Sequence, residues 1–91
     1  MQLTIYVEEG CYGCERARLI AQDVGRLHTM VDVKVLDLGK GVELPESVVA
    51  VPAYTLDGRL VSLGNPDVAE LSTLIEQSLA QEARLEGAEK A

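Results

Sequence analysis

Residues 2–7 alternate, with Leu3, Ile5 and Val7 on one side and Thr4 and Tyr6 on the other, which predicts a β-strand. Glu8, Glu9 and Gly10 then form a turn that delivers Cys11. From Cys14 onward the period lengthens. Ala17, Ile20, Ala21, Val24 and Leu27 fall on one stripe, and Arg16, Arg18, Gln22, Asp23 and Arg26 take the other side. That spacing predicts an amphipathic helix toward Met30, with His28 and Thr29 in its last turn; Gly25 weakens it without ending it. Val31, Val33 and Val35 next alternate with Asp32 and Lys34, giving a second strand to about Leu38. Strand, helix and strand in that order imply a right-handed unit with parallel strands.

The stretch from Gly39 to Ala50 is less regular. Gly39-Lys40-Gly41 is a flexible run, and Pro45 near a first helical position predicts a short helix of at most two turns. After Val51-Pro52, the runs Ala53–Leu56 and Arg59–Leu63 flank Asp57-Gly58, a strong signal for an antiparallel hairpin. Gly64-Asn65-Pro66-Asp67 opens the last helix. Either Asn65 caps it with Pro66 at the first position, or Asp67 caps it in a capping box with Glu70. Val68, Leu71, Leu74, Ile75 and Leu79 form its apolar stripe. Beyond Ala80 the residues are good helix formers with little to bury. The expected organisation is one domain over residues 1–82 and a frayed or disordered tail over 83–91.

Composition narrows the function classes. With no Phe, no Trp and three Tyr among 91 residues, the core must be filled by Val, Leu, Ile and Ala. The net charge of −7, from 15 acidic and 8 basic side chains, disfavours nucleic acid, because neutralising phosphates takes clustered Lys and Arg. No apolar run approaches the roughly 20 residues of a membrane span, and the first residues carry no basic region or cleavage site of a signal peptide. A cytoplasmic protein with neither nucleic-acid nor membrane partners is expected.

The two cysteines of the chain are Cys11 and Cys14, placed between the first strand and the first helix. At a helix N-terminus, the free N–H groups and the positive dipole end stabilise a thiolate, and only the thiolate is nucleophilic. Two intervening residues let the second sulfur, one turn on, close a disulfide with the first. This reads as a redox dithiol, with Cys11 the candidate nucleophile and Cys14 the resolving thiol. A structural disulfide and a pair of inert buried thiols are the bland alternatives. Glu8 and Glu9 are expected to raise the Cys11 pKa by charge repulsion, with Arg16 and Arg18 offsetting them in part.

The order strand, CxxC, helix, strand, connector, Val51-Pro52, hairpin, glycine turn, helix resembles the thioredoxin superfamily to about residue 82. The resemblance implies an α/β fold with a central four-stranded mixed sheet and helices on its faces. It implies a cis-proline at Pro52, beside the dithiol, with the backbone of Val51 pairing with substrate as an added strand does. Size and the glycine before the last helix look most like glutaredoxins or small glutaredoxin-like thioredoxins. Thioredoxins carry Trp before the first cysteine and Gly-Pro between the two, whereas Gly10 precedes here and Tyr12-Gly13 intervenes. Glutaredoxins usually carry Pro-Tyr between the cysteines and Gly-Gly before the last helix, where this chain has Gly64-Asn65.

The activity the resemblance implies is thiol-disulfide oxidoreduction of protein or small-molecule disulfides by Cys11 and Cys14, with Tyr12, Gly13, Val51, Pro52 and Gly64 contacting substrate. No bound cofactor is expected; glutathione or a thioredoxin-reductase-type donor is the candidate reductant. A second class is a metal or iron-sulfur carrier using Cys11 in a glutathione-bridged or dimeric site. Two cysteines with His28 distant do not complete a tetrahedral zinc site within one chain, so no metal ligands are assigned. A third is an interaction module that docks partners at the edge near Val51. Tyr6 and Tyr54 are read as packing residues, and His28 as a satisfied or solvent-facing histidine.

Overall fold

In a computed structural model, the backbone is described for residues 1–90 and the side chains for residues 1–84. The elements run β1 (Gln2–Val7), α1 (Cys14–Leu27), β2 (Asp32–Asp37), a 3-10 turn (Leu38–Lys40), β3 (Ala53–Leu56), β4 (Arg59–Leu63) and α2 (Val68–Lys90). The strands form one mixed sheet in the order β2-β1-β3-β4. The central strand β1 pairs parallel with β2, Ile5 opposite Val35, and antiparallel with β3, Ile5 opposite Tyr54. This is the α/β thioredoxin-like architecture that the order of elements implies.

The alternation in β1 decides what each face buries. Leu3, Ile5 and Val7 are fully buried and share their face with Tyr54 and Leu56 of β3. Ala17, Ile20 and Val24 of α1 and Leu71 and Ile75 of α2 complete that core. Each large aliphatic side chain buried there contributes about 2 kcal/mol. Both helices thus lie on one face. The opposite face, built on Tyr6 and Ala53, is covered by the connector, whose Val48 is buried against them with Leu36, Leu38, Val42, Val51 and Leu60 around it.

The hairpin turns as the Asp-Gly pair predicts. Asp57 (φ 48°) and Gly58 (φ 84°) both take positive φ, the type I′ geometry that matches the twist of paired strands. Asp57 also ties the tip to the start of the sheet. Its Oδ1 accepts from the Gln2 N–H at 2.8 Å, and its own N–H donates to the Gln2 carbonyl at 2.9 Å.

Three details differ from the periodicity. First, α1 stops at Leu27, where His28 leaves helical geometry and its Nε2 meets Ser72 Oγ at 2.9 Å, tying α1 to α2. Second, Leu27 and Leu74 are 64% and 37% exposed. At about 100° per residue, Leu74 falls about 60° outside the arc that Val68, Leu71, Ile75 and Leu79 subtend, and Leu27 lies at the edge of the α1 stripe. Third, no helix forms after Pro45. A single turn closes there, the Val48 N–H donating to the Pro45 carbonyl at 3.0 Å, and the 3-10 turn sits earlier, capped by Asp37 Oδ1 on the Gly39 N–H at 2.9 Å. The expected tail begins at residue 83. α2 carries the backbone to Lys90, and Ala91 and the side chains beyond Arg84 lie outside the described residues. Among the described residues, no helix is long and apolar enough to cross a membrane.

Candidate active site

Cys11 and Cys14 are joined by a disulfide, their Cα atoms 5.4 Å apart. Cys11 closes the turn after β1, its N–H donating to the Glu8 carbonyl at 3.2 Å, and the Cys14 N–H returns to the Cys11 carbonyl at 3.3 Å. The two sulfurs differ in surroundings. Cys14 is 3% exposed and belongs to the core, whereas Cys11 is partly exposed and only packs against it. Gly13 is the N-cap of α1, with φ 91° and ψ −11°, and no side chain caps the helix. The positive end of the α1 dipole therefore faces the cysteines, which favours a thiolate once the disulfide opens.

Pro52 is preceded by a cis peptide bond from Val51, as the resemblance implies. It lies beside the dithiol turn, since a Cβ built on Gly13 would approach its Cδ to 4.0 Å. The Pro52 carbonyl accepts from the Gly64 N–H at 2.7 Å. Gly64 takes φ 83°, and its carbonyl accepts from the Ser62 hydroxyl at 2.9 Å. It braces the proline from behind. Val51 reaches both cores and lines a small groove with Glu8, Leu44, Val48 and Val49. Tyr12 is wholly exposed at the tip of the dithiol turn.

An open groove of about 640 Å³ runs beside Cys11, lined by Tyr12, Gly13, Glu15, Arg16 and Asn65 among others. Glu15 in its lining is exposed, as are Glu8 and Glu9 in the turn before Cys11. Of the two arginines expected to offset them, only Arg16 is at the groove. Arg18 is drawn away to Asp37 at 3.4 Å, on the far side of α1.

Of the two candidate caps of α2, Asn65 and Asp67, the structure uses Asp67, and both Asn65 and the packing residue Tyr54 take a further role. Asp67 takes the cap, its Oδ1 accepting from the Ala69 N–H at 2.8 Å. Asn65 instead donates from Nδ2 to the Gly13 carbonyl at 2.9 Å and accepts from the Tyr54 hydroxyl at 2.8 Å. Burial pushes the Tyr54 phenol up to about 12, with the nearby Arg16 charge pulling the other way, so the hydroxyl stays a neutral donor. An Asn-Pro pair before a helix carries no sequence signal for this role. Among the described residues there is no group of three or more His, Cys, Asp or Glu side chains arranged to hold a metal ion.

A parallel β1–α1–β2 unit, a hairpin entered through a cis-proline and a disulfide at the start of α1 define a thioredoxin-like fold. The structure is similar to the solution structure of the oxidised thioredoxin from Plasmodium falciparum, with a TM-score of 0.61 and 20% identity over 85% of this chain and 79% of that one. It is also similar to the crystal structure of thioredoxin O2 from Arabidopsis thaliana in the oxidised state, with a TM-score of 0.55 and 18% identity over 84% and 72% of the two chains. No protein-family model and no curated protein sequence matches the chain.

Proposed function

We propose that the protein is a thiol-disulfide oxidoreductase of the thioredoxin superfamily, working in the cytoplasm on protein or small-molecule disulfides. The observation that carries this reading is the asymmetry of the pair at the uncapped start of α1, with Cys11 accessible and Cys14 buried. The reaction begins when the Cys11 thiolate attacks one sulfur of a substrate disulfide. The Cys11–substrate bond forms, the substrate S–S bond breaks, and the departing thiolate takes a proton from solvent. Cys14, deprotonated, then attacks Cys11 Sγ, which forms the intramolecular disulfide and releases the second substrate thiolate. Two electrons pass to the substrate, and glutathione or a reductase-type dithiol donor returns them. Val51, held at the cis bond beside the dithiol, offers its backbone to an extended substrate segment, with the Tyr12-Gly13 turn next to it.

The test is a titration of the purified protein in glutathione buffers of set potential, with free and bonded cysteine separated by alkylation and mass. A reversible midpoint within about −180 to −270 mV, the span from protein disulfide isomerase to thioredoxin, is expected. A pair that stays bonded or free at every accessible potential sinks the proposal and favours a structural or carrier role.

A further inference from the structure

The two-residue turn between the cysteines is held from below by a side-chain relay. Tyr54 is fully buried in β3, and its hydroxyl donates to Asn65 Oδ1 at 2.8 Å; Asn65 Nδ2 donates to the Gly13 carbonyl at 2.9 Å. The orientation of the amide follows from chemistry. The Gly13 carbonyl can only accept, so the NH2 group must face it, and the amide oxygen is left for the phenol. The same carbonyl accepts the Ala17 N–H at 3.0 Å, the bond that closes the first turn of α1. Gly13 is thus fixed on two sides. It leaves little slack, since a Cβ there would stand 3.1 Å from Asn65 Nδ2.

We propose that Asn65, oriented by Tyr54, is a positioning residue for the dithiol: it pins the Tyr12-Gly13 turn and so keeps Cys11 and Cys14 within bonding reach when the disulfide is open. The inference rests on the redox reading above. Its physical basis is entropic. The equilibrium between dithiol and disulfide reports the effective concentration of one thiol at the other, and an unpinned turn spreads the reduced pair over wider separations. Losing the pin disfavours ring closure without adding or removing any charge at the site.

The experiment compares the wild type, Asn65→Ala, Tyr54→Phe and the double variant in the same glutathione buffers, with denaturant unfolding of each as a folding control. Asn65→Ala is expected to lower the oxidation equilibrium constant about tenfold, which corresponds to a midpoint about 30 mV less reducing. Tyr54→Phe shifts it the same way by less, because the amide keeps its bond to Gly13 but loses its orientation. The double variant shifts no further than Asn65→Ala, since the two act as one unit. An unchanged or more reducing midpoint in either cooperatively unfolding single variant, or shifts that add, overturns the proposal. Should Asn65→Ala fail to fold, Tyr54→Phe decides, because it removes a single oxygen. A wild type with no reversible midpoint defeats the redox reading itself, whereas a titrating wild type with silent variants defeats only the role of Asn65.

Discussion

Cys14 is sealed into the core three residues after a Cys11 that solvent reaches, although the two share one disulfide. An incoming substrate can attack or be attacked only at Cys11. Replacing Cys14 by serine should therefore leave a mixed disulfide that persists on Cys11 and is visible as a mass adduct. Replacing Cys11 should abolish both adduct and disulfide reduction. If the Cys14→Ser variant accumulates no adduct with any disulfide offered, the assigned roles are wrong.

Gly13 sits at φ 91°, where an L side chain is strained, and its missing Cβ faces Asn65. Gly13→Ala is expected to cost about 1–3 kcal/mol of stability, the usual range for a residue forced into such a conformation. Denaturant unfolding measures it, and a loss below about 0.5 kcal/mol would show that the turn relaxes freely.

Leu71 and Leu74 of α2 provide an internal contrast. Leu71 is fully buried and Leu74 is 37% exposed. Leu71→Ala should cost about 2–5 kcal/mol through lost burial and the cavity left behind. Leu74→Ala should cost less than about 1 kcal/mol, as surface changes generally do.

Alkaline pH should reach the protein through Tyr54, whose folded-state value stands near 12 against an ordinary 10.0. The native state keeps this proton while the unfolded chain loses it. The contribution is therefore intact below about pH 10 and declines as pH rises toward 12. Unfolding titrations above pH 10 should show this decline, and Tyr54→Phe should flatten it. An equal slope in the variant would assign the loss elsewhere.

Much of the architecture was legible locally, because β1 and α1 carry the period that a buried face enforces and the Asp57-Gly58 turn marks the β3–β4 hairpin. The dithiol was legible from its spacing, and the cis-proline only through the resemblance to the thioredoxin superfamily. What was not legible came from contacts across the chain. Asn65 reads as a cap because the residues around it suit a helix start, yet the Gly13 carbonyl, 52 residues away, outcompetes that use. His28 likewise gains its partner only when Ser72 of α2 is brought alongside. The connector defeated local reasoning for a different reason: with one buried side chain, Val48, between residues 41 and 51, it has no amphipathic face for a period to reveal.

That lightly anchored connector separates two properties that are usually entangled. The dithiol is mounted on α1 and braced by the helical layer, while Val51, the lip proposed to meet a partner, packs against both cores at the end of a coil that covers the other side of the sheet. On the proposed function, reshaping the coil ahead of Val51 is expected to change which molecules the protein accepts more than it changes the reactivity of the dithiol. Affinity and electron-donating power would then be adjustable largely one at a time.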